Sequence, residues 1–139
     1  TYNMFGLPGE RASDVYHTIR FNRRLGATHG RFVMFQPYAG LPLTDDIGFC
    51  ERQNGADSST VYYDTPLLHD MDRAIVNLQN FSIWMLRHER SDALFLSLAR
   101  LPSNGVYKGF FWWTFLSSLR SRLGLSWPGV LRYLAQNLA

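Results

Sequence analysis

Four residues, Gly6-Leu7-Pro8-Gly9, constrain the start of this chain more than any others. They follow a short apolar run, Tyr2 to Phe5, and neither strand nor helix can pass through them, because proline lacks a donor and fixes its own φ while glycine favours turns. A helix is expected next. Ser13 is placed to cap it and Asp14 to favour its first turn, and Val15, Ile19 and Leu25 recur near helical spacing. Arg23 and Arg24 suit the C-terminal end of its dipole, and Gly26 suits the position just beyond. The following run, Arg31 to Phe35, is apolar at nearly every position, as a strand buried on both faces would be, and Pro37 stops it. Strand, helix, strand is a βαβ unit, with a right-handed crossover expected.

The rest of the chain divides differently. Thr65 and Pro66 carry the N-cap and N1 signals of a long helix through residue 88. Three more helical stretches follow: one from Ser91 stopping before Pro102, the aromatic-rich 109–124, and one capped by Ser126. The organisation expected is 1–48 as the βαβ portion, 49–64 as a connecting loop and 65–139 as a helical region.

At 139 residues with 46% hydrophobic content, the chain is large enough for one domain with a real core. Cys50 is the single cysteine, so neither an internal disulfide nor a site of several thiolates can form within the chain. The net charge of +3 is nearly all arginine, Lys108 being the one lysine, and is spread out, so a nucleic-acid partner is not expected. No signal peptide is recognisable, and the most apolar stretch, 109–119, falls short of the ~20 residues that span a bilayer. A cytoplasmic location is the simplest expectation.

Loops at the C-terminal ends of parallel strands are where α/β folds bind ligands. Two loops occupy that position, Gly-Leu-Pro-Gly-Glu at 6–10 and Gln-Pro-Tyr-Ala-Gly-Leu-Pro-Leu at 36–43. Each alone reads as an ordinary turn; the pair carries more. "FGLPGE" after a strand, the helix "SDVYHTIRFNRRLG" and a strand ending "FQPYAGLPL" together resemble the C-terminal part of the radical S-adenosylmethionine core, closest to its cobalamin-binding branch. The likeness covers roughly residues 1–48. It departs at Arg11, where the family has Thr, and at Ala39 and Leu41, where it has Pro and Thr.

The resemblance implies an α/β fold, the C-terminal βαβ portion of a partial (β/α)6 barrel followed by a helical extension, with the earlier strands upstream. It implies S-adenosylmethionine binding, with Met4 and Phe5 as apolar contacts, Gly6, Leu7, Pro8, Gly9 and Glu10 as the turn, and Gln36, Pro37 and Tyr38 as a second wall. It also implies a 4Fe-4S cluster on a CxxxCxxC motif outside this chain and, at branch level, a cobalamin outside it as well. The reaction implied is reductive cleavage to a 5′-deoxyadenosyl radical that acts on a small-molecule substrate, with methyl transfer from cobalamin as one outcome. No catalytic residue and no metal ligand is assigned within these residues, and the chain alone is expected to be inactive.

A different class of reading stands beside this one: a non-enzymatic helical module that docks on a protein or a membrane surface, with Phe110 to Phe115 as its aromatic contact. Ordinary packing also accounts for those aromatics. His17, His29, His69 and His88 have no metal-ligand spacing, and the acidic residues Asp45, Asp46, Glu51, Asp57 and Asp64 read as a solvated loop, with a lid over the pocket as the alternative.

Overall fold

The computed structural model describes residues 1–35, 72–102 and 105–137. Strand β1 spans Tyr2–Phe5, helix α1 Ala12–Arg24 and strand β2 Arg31–Met34. The two strands pair in parallel, Tyr2 opposite Arg31 through Phe5 opposite Met34. So the βαβ unit forms, from two four-residue strands. Helix α2 (Arg73–Arg87) leads through a single 3₁₀ turn at Glu89–Ser91 into α3 (Asp92–Ala99), and α4 (Gly105–Leu123) and α5 (Trp127–Asn137) complete the described residues.

Two residue-level devices set the ends of α1. Its N-cap is Arg11, two residues before the expected Ser13, and the Arg11 backbone N–H donates to the Asp14 carboxylate at 2.9 Å. At the other end Gly26 (φ +71) turns the chain, with the Gly26 N–H donating to the Arg23 carbonyl and the Ala27 N–H to that of Asn22. Those paired bonds form a Schellman motif, which satisfies carbonyls that the helix leaves open. Helix α2 begins at Arg73, capped by the Asp72 carboxylate on the Ala74 N–H at 2.9 Å; the start expected at Thr65 and Pro66 lies outside the described residues.

The barrel-type α/β class implied by the resemblance does not hold. Helix accounts for 69% of the described structure and the strands number two, with no repeat of βαβ units. The physical reason is that most of the described core side chains gather on helices around α2 rather than on a wider sheet, and α2 also meets the outer edge of β2. Arg31 N–H donates to Thr1 and Phe35 N–H to Phe5, so the alternate residues Phe32 and Met34 point their backbone groups away from β1. There the Gln79 Nε2 of α2 donates to the Phe32 carbonyl at 3.3 Å. A helix side chain, and no further strand, meets that edge in the described structure.

Helix α2 is the centre of the molecule. Every residue from Ala74 to Ile83 is buried, as in a helix enclosed on all sides, and it packs against α1, β2, α3 and α4. One core runs from Phe5, Val15, Ile19 and Phe32 through Leu78 and Met85 to Phe95 and Phe111. Burying each such side chain contributes about 2 kcal/mol before entropy is counted. Phe81 is its aromatic hub, with ring centroids 4.8 Å from both Phe95 and Tyr107. In this interior the Asn77 Nδ2 donates to the Ala99 and Leu101 carbonyls, both at 2.9 Å, which closes the end of α3, while its Oδ1 is buried without a partner among the described residues.

Candidate functional site

The turn after β1 is a closed loop. Gly6 and Gly9 take left-handed conformations, φ +78 and +76, which glycine adopts without a Cβ penalty. The Glu10 N–H donates to the Leu7 carbonyl at 3.0 Å. The Glu10 side chain then folds back over the turn, its Oε2 accepting from the Gly6 N–H at 2.5 Å and the Leu7 N–H at 3.1 Å. Two backbone donors that a turn leaves open are thus satisfied by one carboxylate. Burial pushes the Glu10 carboxyl above its ordinary range, and the bonds from Leu7 and Gly6 only partly offset this.

The residues assigned to this site from sequence occupy distinct surroundings. Phe5 is wholly buried and stacks on Phe32, centroids 5.3 Å apart, while its carbonyl accepts the Phe35 N–H at 2.6 Å. Met4 is 45% exposed on the opposite face of β1, and Leu7 is 42% exposed at the turn. Pro8 is half-buried and Gly9 exposed. Met4 to Glu10 are therefore one contiguous loop structure at the strand end, with apolar surface from Met4 and Leu7. Gln36, Pro37 and Tyr38, assigned to the second wall, lie outside the described residues, as do Cys50, His69 and the acidic residues 45–64 with the lid reading attached to them.

Among the other histidines, His17 is exposed on α1, and the His88 ring lies 4.0 Å from that of Trp84. His29 is held below its ordinary range by burial and by Arg87, Arg122 and the chain's amino group. Among the described residues no three His, Cys, Asp or Glu side chains gather as a metal site would need.

A polar cluster invisible in the sequence ties the βαβ unit to the helices. Arg23 of α1 pairs with Asp92 of α3 in a two-pronged contact, Nη1 to Oδ2 at 3.0 Å and Nη2 to Oδ1 at 2.9 Å. Arg23 also donates to the Met85 carbonyl, and the Tyr16 hydroxyl donates to Asp92 Oδ2 at 2.9 Å. Asp92 is 6% exposed. Burial and the Asp92 carboxylate both raise the Tyr16 phenol, and the same carboxylate raises Arg23 further. With its members 69 and 76 residues apart, no local pattern announces this cluster. The two-pronged pairing of Arg23 with Asp92, joined by Tyr16 and the Met85 carbonyl, is that of a fastening rather than of a reacting group, although the Arg23 Nε is buried without a partner among the described residues.

The aromatic stretch of α4 divides in two. Phe111 is buried, and Phe110 and Phe115 pack against the core, whereas Trp112 and Trp113 are 38% and 50% exposed. No protein-family model matches this chain, and no curated protein or solved structure matches it either.

Proposed function

We propose that this chain supplies one side of an S-adenosylmethionine pocket in a radical S-adenosylmethionine enzyme. The observation that carries the reading is the loop at the end of β1. It is a parallel-strand turn fixed by two left-handed glycines and by Glu10, and it occurs within the residues that resemble the family. A loop whose spare donors are already engaged presents a fixed surface with little entropy left to lose on binding. Met4 and Leu7 offer that surface apolar area for an adenine ring, and the peptide groups of the turn offer polar edges. By the same resemblance the cluster, its three cysteines and a cobalamin belong to sequence outside these residues, and a small molecule is the substrate. The S-adenosylmethionine and cluster chemistry is theirs; these residues bind and orient.

Titration of the full chain with S-adenosylmethionine, followed by amide resonances, tests this. A site that would bind at about 1 µM when complete and retains half its free energy here has a Kd on the order of 1 mM. Shifts centred on Gly6, Leu7 and Gly9, reproduced by adenosine and abolished by Glu10→Ala, are expected. Resonances that stay fixed at saturating ligand, or that move equally across the molecule, would contradict the reading.

A further inference from the structure

Beyond Asp92 the chain carries five cations, Arg100, Lys108, Arg120, Arg122 and Arg132, and not one carboxylate side chain. That uniformly positive segment includes α4 and α5, and Trp113, Trp127 and Leu131 are exposed within it. On α5 the stripe formed by Trp127, Val130, Leu131 and Leu134 is only partly used. Val130 is fully buried, while Trp127 is 42% and Leu131 65% exposed. Trp113, two turns before Arg120 on α4, is half-exposed.

The junction of the two helices adds a polar niche. A groove of about 440 Å³ is lined by Ser117, Arg120, Ser121, Gly124 and Leu125. Gly124 (φ +63) ends α4, and the Leu125 N–H returns to the Arg120 carbonyl, which fixes the backbone of the groove. The Arg120 guanidinium lies over the Trp127 ring, 5.3 Å from its centroid, so its orientation is set by the aromatic face beneath it.

We propose that the α4–α5 junction docks on an anionic phospholipid surface, with a lipid phosphate seated in the groove between Arg120 and the hydroxyls of Ser117 and Ser121. Trp113 and Trp127 sit at the headgroup level and Leu131 reaches the acyl boundary. Tryptophan and arginine at a helix surface beside an aliphatic residue is the composition of interfacial segments. Charge complementarity selects the occupant: a segment with cations and no carboxylates is drawn to anionic lipid, and two copies of it would repel one another. A nucleic acid would use the arginines but leave Leu131 and its neighbours exposed. No helix among the described residues is long and apolar enough to cross a membrane, and docking of this kind needs none.

Flotation of the full chain with phosphatidylcholine vesicles, with and without phosphatidylglycerol, tests the proposal. The chain is expected to float with the phosphatidylglycerol vesicles, with a blue shift of tryptophan emission, and to be released by added salt. Arg120→Gln should weaken partition about fivefold and Trp127→Ser with Leu131→Ser more than tenfold. All three side chains are at the surface, so circular dichroism should be unchanged. Should the double variant lose helicity, Arg120→Gln and the salt dependence decide. Absence of flotation, equal partition onto phosphatidylcholine alone, or partition indifferent to Arg120→Gln would overturn the proposal. So would a concentration-dependent dimer, or binding of single-stranded RNA, in place of vesicle binding.

Discussion

Glu10 shows how much one side chain settles at this strand end. Its carboxylate replaces solvent for two adjacent backbone N–H groups and converts four turn residues into a closed unit. The position works against the charge, because burial is the largest influence on its pKa and raises it above the ordinary 4.5. A carboxyl whose pKa is higher folded than unfolded binds its proton more tightly in the folded chain. Its contribution is therefore fully present below 4.5 and is lost as pH rises through the folded value. Glu10→Gln removes this titration while keeping an oxygen acceptor. The melting temperature of the wild type should fall relative to Glu10→Gln as pH rises from the acid side of 4.5 toward neutrality. Paired thermal melts across that range check it, and parallel curves would show that Glu10 does not titrate as its surroundings demand. The loop itself was legible in the sequence because Gly and Pro admit few alternatives. The orientation of Phe5 was not: which face a strand residue takes is set by what packs there, and Phe32 draws the Phe5 ring inward.

Among elements, the fastening of α1 to α3 matters most. Arg23 was read from sequence as a favourable charge at the end of a helix dipole, an effect worth about 0.5 kcal/mol. In the structure it is a partner of Asp92, and through Met85 of α2 as well. Removing one member of a buried pair strands the other charge, so Asp92→Ala should destabilise the chain by about 3 kcal/mol in urea unfolding. Arg23→Met combined with Asp92→Leu should recover most of that loss, because neither variant then buries an unpaired charge. A double variant as unstable as the single one would mean that the pair contributes net attraction beyond its own desolvation. Boundaries followed the same division between local and distant causes. Both strands were legible because each apolar run is bounded by a turn residue. The start of α1 was misplaced because Asp14 caps through the Arg11 backbone and Ser13 has no part in it. The start of α2 at Arg73 rests on the Asp72 cap, which was not singled out in the sequence, and the Thr65–Pro66 signal upstream lies outside the described residues.

At the scale of the molecule, the described residues form a helical assembly built around α2 with one βαβ unit packed on it. The alternating character of the first 35 residues was legible; its extension to a barrel-type class was not supported. What a short strand packs against is decided by distant residues: Gln79, 47 residues from Phe32, meets the outer edge of β2, and no local pattern in the first 35 residues announces α2 as the centre of the core. The loop proposed for S-adenosylmethionine stands at the end of β1, while the Arg23–Asp92 fastening and the α4–α5 junction are separate features, so the two proposals can be tested independently. Membership in a radical S-adenosylmethionine enzyme is the central proposal for this chain. Its most direct test is to read the native gene upstream of the codon for Thr1 and translate the open frame. A CxxxCxxC motif following a segment patterned as a strand is the expected result. An in-frame stop and start signal just before Thr1, or a longer frame without that motif, would contradict it.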